Sequence, residues 1–275
     1  MAEAALGGGA VVITGATTGI GRATALSLPG SPGRVILHGI EPLHDVESLL
    51  MEVRRRVSPA PVDYVSADFG DLRSVERLAE AILGVGNAVG LLINNAGRPG
   101  PAEHTITADG HEVTFQTNYL APVLLTTLLL GAVGNECRVV NIASATHHSA
   151  TLQFNDLASR RRPYSPSGVY AHSKLALVTY TCWLAANRPR DTVQVVSMHP
   201  GVISTGLLHS MFAIGGAAPQ TAAENIWFVA SHSGDNGAYY DERSASSPNP
   251  EASDIANQAR LHEITMTLLD KFIDP

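Results

Sequence analysis

The chain has 275 residues, 45% of them hydrophobic and 16% charged, with 18 basic and 25 acidic residues and a formal net charge of -7. That apolar content excludes a disordered chain and suffices for the core of one large α/β domain, while the acidic balance argues against a nucleic-acid footprint. Two cysteines, Cys137 and Cys182, lie inside apolar runs, as expected of buried thiols in a reducing compartment.

From the N-terminus, residues 1–9 lack the basic region and apolar stretch of a signal peptide. A short apolar strand, 10–14, then runs into Thr14-Gly15-Ala16-Thr17-Thr18-Gly19-Ile20-Gly21, and a helix-like segment follows at 22–28. Strand, glycine turn and helix in that order form a context in which backbone can approach a pyrophosphate closely and a helix N-terminus supplies free N–H groups. A plain tight turn is the alternative for the motif alone. A second strand, 34–38, ends in His38-Gly39-Ile40-Glu41, where a dinucleotide fold reads the adenosine ribose with an acid for a 2′-hydroxyl or an arginine for a 2′-phosphate. Neither stands in the obvious place.

A helix at 43–57 and a third strand at 62–66 follow, the strand closed by Ala67-Asp68-Phe69; Asp68 can accept from an adenine amino group or cap a helix. After an amphipathic helix at 72–83, a fourth strand, 90–93, ends in Asn94-Asn95-Ala96-Gly97. This alternation predicts a parallel, doubly wound sheet, whose ligands sit at the carboxyl ends of the strands, where Gly15, Asp68 and Asn95 fall. A long helix carrying Asn118 is predicted over 109–130, and a fifth strand over 137–143 with Ser144 at its end. The longest apolar run, 121–133, carries Pro122 and two threonines and is too short to span a bilayer. The expectation is a cytoplasmic protein with no membrane partner.

A long polar connection, 145–168, holds His147, His148 and Arg160-Arg161-Arg162, all read as loop residues. The helix after it, to about residue 187, carries Tyr170 and Lys174, four apart and so on one face. A cation there should pull the phenol pKa down from its reference of about 10 and ready it for proton transfer. His172, between them, should point away. A sixth strand, 192–198, leads to Pro200-Gly201-Val202 and Thr205, and the small, apolar, glycine-rich stretch 203–218 has the character of a lid. A helix at 221–231, a seventh strand at 237–241 and, after a Ser/Pro/Asn linker, a helix at 255–269 complete the chain.

These residues together resemble the short-chain dehydrogenase/reductase family over nearly the whole chain. Thr14 to Gly21 is similar to its TGxxxGIG turn, Asn94 to Gly97 to its NNAG motif, and Asn118, Ser144, Tyr170 and Lys174 to its catalytic tetrad. Pro200, Gly201, Val202 and Thr205 match the segment that contacts the nicotinamide carboxamide. Within the family the chain is most similar to the retinol-dehydrogenase and WW-domain-oxidoreductase type, through Phe154-Asn155-Asp156-Leu157, Tyr164-Ser165 and Gly237-Ala238-Tyr239-Tyr240-Asp241.

The resemblance implies a single Rossmann-type domain over 1–275, an α/β fold of about seven strands, with a substrate loop (145–168), a lid (203–218) and a C-terminal helix (252–270). It implies an NAD(P)-dependent oxidoreductase acting between a carbonyl and a secondary alcohol on a bulky, mostly apolar substrate, as a ketone reductase first. Tyr170 would transfer the proton, Lys174 would lower its pKa, Ser144 would hold the substrate oxygen and Asn118 would position a water. The cofactor set is Thr14, Gly15, Thr17, Thr18, Gly19, Ile20, Gly21, His38, Gly39, Ile40, Asp68, Phe69, Asn94, Asn95, Ala96, Gly97 and the 200–205 segment, and no metal is called for. With no acid at Gly39, NADP is favoured over NAD, unless Glu41 restores NAD. A non-redox enzyme (dehydratase, epimerase or cyclase) and a nucleotide-sensing binding protein are the alternatives. Both a homodimer and a monomer remain open.

Overall fold

The computed structural model describes residues 8–273 apart from 132, 213, 233 and 235. In chain order the elements are β1 (Ala10–Ile13), α1 (Gly19–Leu26), β2 (Arg34–Gly39), α2 (Leu43–Val57), β3 (Val62–Ser66), α3 (Leu72–Gly84), β4 (Val89–Asn94), α4 (Val113–Leu130) and β5 (Val133–Ile142). There follow a 3-10 turn (Ala145–Ser149), α5 (Pro166–Ala186), β6 (Val193–His199), α6 (Gly206–Met211), α7 (Pro219–Ser231), β7 (Tyr239–Asp241), β8 (Ser244–Ser246), α8 (Pro250–Ser253) and α9 (Ile255–Ile273).

The strands form one sheet in the order β3-β2-β1-β4-β5-β6-β7-β8. Every pairing is parallel except that of β7 with β8. The predicted count of about seven is thus corrected to eight among the described residues. The chain winds outward from β1 first toward β3 and then back past β4, so a switch point opens between the carboxyl ends of β1 and β4.

Successive strand residues face opposite sides. Ala10 and Val12 join the core beneath α3, α4, α5 and α9, while Val11 and Ile13 join the core beneath α1, α2 and α7. Both faces are covered, which is why the central strands read as continuous apolar runs.

Helix α4 starts at Val113, not at 109. Gly110 adopts φ +90°, Thr107 N–H bonds to His111 O at 2.8 Å, and Glu112 then caps the helix by accepting from Phe115 N–H at 2.7 Å. The helix widens into a π-turn over Gln116–Leu120, which holds Asn118; such turns recur at functional sites. Val113–Leu130 is long and apolar enough by length and composition to cross a membrane, and 78% of it is buried inside the fold.

Helix α9 lays Leu261, Thr265, Leu269 and Phe272, a stripe at helical spacing, onto α4 and α5. Thr265 Oγ1 and Tyr119 Oη hydrogen-bond at 2.7 Å, and His262 stacks on Trp183 with centroids 3.4 Å apart. The last helix therefore covers part of the α4/α5 face. Leu269→Ala is expected to cost about 2–5 kcal/mol through lost burial and a cavity, read as a lower urea midpoint with unchanged slope.

Candidate active site

The site begins where β1 and β4 end. Thr14 Oγ1 accepts from the N–H of Asn95 and of Ala96, each at 3.0 Å, and donates to Ile93 O at 3.3 Å. In return Asn95 Nδ2 donates to Thr14 O at 2.9 Å and Gly15 O at 3.1 Å. Two side chains thus fix the glycine turn to the neighbouring strand end. The turn is tight: a Cβ on Gly21 would lie 2.0 Å from Gly15 O, and Gly15 adopts φ +62°. Thr17, Thr18, Gly19 and Ile20 remain partly or fully exposed along its rim, at the start of α1. That is a cradle for an anionic group at a helix N-terminus. Thr205, which caps α6, lies over it, since a Cβ on Gly19 would approach Thr205 Cγ2 to 3.4 Å.

Some of the residues predicted to touch cofactor hold the site from behind. His38 is buried, accepts from Gly15 N–H at 3.2 Å, donates to Ala67 O at 3.0 Å and stacks on buried Phe69 with centroids 4.5 Å apart. Burial lowers its pKa to about 4, so the ring is neutral and both nitrogens are committed. Asn94 is buried in a polar chain, donating to Thr126 Oγ1 at 3.0 Å and Asn141 Oδ1 at 2.8 Å. Pro200 is buried too, its carbonyl accepting from Asn225 Nδ2 at 3.2 Å. Asp68, Ile40 and Val202 are exposed.

At the end of β2 a residue outside the predicted site set stands out. Glu41 Oε2 is buried without a hydrogen-bond partner among the described residues. A side chain at Gly39 would put its Cβ 2.8 Å from that oxygen and 2.4 Å from Thr17 Cγ2.

The four residues expected to act together come from the turn after β5, where Ser144 caps Ala145–Ser149, and from α4 and α5. Lys174 is buried and its Nζ donates to Ile142 O at 2.8 Å, lying 5.8 Å from the Tyr170 ring centroid. Asn118 accepts from Arg98 N–H at 2.8 Å and donates to Arg98 O at 3.0 Å and to Ser173 Oγ at 3.1 Å. Ser173 in turn donates to Tyr170 O at 2.7 Å, so Asn118 ties the segment after β4 to α5. Gly97 borders the same space, its hypothetical Cβ 3.5 Å from Lys174 Nζ.

The expected lowering of the Tyr170 pKa is corrected by the structure. Burial pushes the phenol up to about 12, a hydrogen bond with Ser144 offsetting part of that, and burial pulls Lys174 down to about 8. Removing water from both groups outweighs the spacing of the two charges.

His147, expected in an open loop, is fully buried, and His172 is buried against Phe115, centroids 5.4 Å apart. Burial lowers His147 to about 4 and His172 to about 3. His172, expected to point away from the Tyr170 face, is packed inward against Phe115 and accepts from Gln153 N–H at 3.2 Å, whereas nothing local marked His147.

Two expectations follow. Gly21→Ala should cost about 1–3 kcal/mol of stability by overpacking and weaken dinucleotide binding in a calorimetric titration, while Gly84→Ala, with nothing within 4 Å, changes neither. Secondly, the folded state disfavours protons on His38, His147 and His172, which the unfolded chain takes up near pH 6.5. Their contribution to stability is complete above about pH 6.5 and lost as pH falls toward about 4. Urea midpoints measured across that window should fall, and less steeply in His172→Phe, which keeps a ring on Phe115 but binds no proton.

Comparison with known proteins agrees with this geometry. The family model described as short chain dehydrogenase matches residues 9–213. Human retinol dehydrogenase 13 is 32% identical over 279 residues, covering 94% of this chain and 84% of its own. A protein of Streptomyces sp. (strain C5) named as a daunorubicin C-13 ketoreductase, DnrU, is 34% identical over 268 residues, covering 94% and 91%. Among solved structures, an uncharacterised protein from Mycobacterium paratuberculosis superposes with a TM-score of 0.77 at 28% identity, covering 95% and 93%. The glycine turn locked by Asn95, the tetrad after β5 and on α4 and α5, and these matches together make the chain an oxidoreductase that belongs to the short-chain dehydrogenase/reductase family.

Proposed function

We propose that the protein reduces a bulky ketone to a secondary alcohol with NADH. The observation that carries this reading is a phenol, Tyr170, held protonated by burial beside Ser144 and against Lys174. A phenol so placed can give its proton to a carbonyl oxygen, and the likeness to the Streptomyces ketoreductase supports that direction.

When bound, the dinucleotide supplies the hydride. The rim Thr17 to Ile20 and the start of α1 would take its pyrophosphate, with Asn95 keeping that turn in place. Tyr170 gives its proton to the substrate oxygen as the carbon accepts hydride, and the Lys174 ammonium stabilises the phenolate left behind. Ser144 donates to the same oxygen and orients it. Glu41 supports NAD in place of the NADP that the sequence favoured. A half-buried carboxylate just past the end of β2, one of its oxygens without a partner among the described residues, can accept from a ribose 2′-hydroxyl and repels a 2′-phosphate.

A cavity of about 460 Å³ beside the catalytic helix supports a bulky substrate. Thr146, Ser149, Arg162, Ser167 and His172 line it along with Phe212, next to Ser144 and Tyr170 in the chain but without them, and that lining supports a substrate with polar groups as well as apolar bulk. The likeness to the Streptomyces ketoreductase supports the ketone class; that to retinol dehydrogenases keeps alcohol oxidation as the second reading. The partly covered α4/α5 face supports a monomer, and two free thiols support a reducing, cytoplasmic location.

The first test is a titration with NADH and NADPH. Tighter NADH binding, with Glu41→Gln narrowing the ratio, is expected; tighter NADPH binding overturns the cofactor reading, and binding of neither overturns the redox one. With a panel of polycyclic ketones and quinones, Tyr170→Phe should lower kcat by a factor on the order of 10²–10⁴. The wild-type reduction rate should decline as pH rises through about 8, where Lys174 loses its proton.

A further inference from the structure

Ser144 owes its placement to a residue from the far end of the chain. Its hydroxyl oxygen accepts from Thr146 N–H at 3.3 Å and from Thr146 Oγ1 at 3.0 Å. A hydroxyl has two lone pairs and one proton, so with both lone pairs occupied the proton is turned away from the loop, toward Tyr170.

That geometry holds only while the Ala145–Ser149 turn keeps its shape. His147 Nδ1–H donates to Ser144 O at 2.7 Å, and the other ring nitrogen accepts from Asn249 N–H at 3.2 Å. The Asn249 side-chain amide shares its two protons among Ala150 O at 3.0 Å, His147 O at 3.1 Å and, at longer range, His148 O at 3.4 Å, adding to the backbone bond from Ala150 N–H to His147 O at 3.3 Å. Its own oxygen accepts from Glu251 N–H at 2.9 Å, and the Glu251 carboxylate accepts from Leu152 N–H at 2.7 Å. The His147 ring is closed in by His148, at 3.9 Å between centroids, and Tyr239, at 4.7 Å.

We infer that His147 and Asn249 are positioning residues for Ser144, together aiming its hydroxyl proton at the substrate oxygen. Any buried imidazole satisfies its two nitrogens; what singles out His147 is that one bond goes to the carbonyl of Ser144 itself and the other to Asn249. The inference rests on the proposed role of Ser144 in carbonyl reduction, and specifies what that role depends on.

The test is a double-mutant cycle, followed as NADH oxidation with whichever panel ketone is turned over fastest. His147→Leu and Asn249→Ala are each made alone and on Ser144→Ala, with His147→Asn as the conservative variant, since its amide nitrogen can stand near the place of Nδ1. Misplacing Ser144 by about 1 Å should lower kcat on the order of 10–100-fold, with the dinucleotide Kd unchanged. His147→Asn should recover most of the loss, and neither substitution should cost more on Ser144→Ala. Losses that multiply on Ser144→Ala, or a lowered Tm with unchanged kcat in the folded protein, overturn the inference. Should His147→Leu fail to fold, Asn249→Ala carries the same cycle. Wild-type turnover by Ser144→Ala removes the proposed role of Ser144 and the inference with it, a pattern distinct from failure of the relay alone.

Discussion

The carboxyl ends of β1 and β4 are held together by two side chains, and the site depends on that junction. Thr14 and Asn95 exchange hydrogen bonds with each other's backbone, and His38 braces the same turn from the β2 side. Parallel strands fan apart at a switch point, which opens the cleft but leaves its walls without sheet pairing. Backbone bonds reach only as far as Thr14 N–H to Ile93 O and Ala16 N–H to His38 O, and buried and partly buried side chains add to them there. The glycine turn therefore owes its shape to the neighbouring strands as much as to its own glycines.

Burial governs the chemistry as well. Tyr170 and Lys174 sit on one face of α5, as their spacing demands, but both are nearly removed from water. Desolvation disfavours phenolate and ammonium alike and moves the two pKa values toward their neutral forms. The spacing of two residues can reveal that they share a site; it cannot reveal the dielectric of that site, which is set by α4, β5 and the segment after β4. The structure thus keeps Tyr170 in its protonated form more firmly than the motif alone suggested.

Legibility in the sequence followed locality. The glycine turn, Asn95, Asn118, Ser144 and the Tyr170/Lys174 pair each belong to a short pattern, and the strand–helix alternation gave the parallel, doubly wound sheet away. Ser244–Ser246 did not read as a strand, since its residues have no β-branched or aromatic character and only pairing with β7 makes it one. The start of α4 was misplaced because Gly110 breaks the backbone where apolar spacing continues. Glu41 could be named but not aimed, and His147 and Asn249 could not be linked at all, being 102 residues apart.

That separation has a bearing on how the molecule matures. A chain made from its N-terminus has the glycine turn, the NNAG strand end and Tyr170 in hand while Asn249 and α9 are still to be synthesised. The nucleotide half of the cleft can therefore consolidate on the ribosome before the seat of Ser144 exists. A nascent or clipped molecule lacking Asn249 would have the glycine turn in place before, or without, the bonds that seat Ser144.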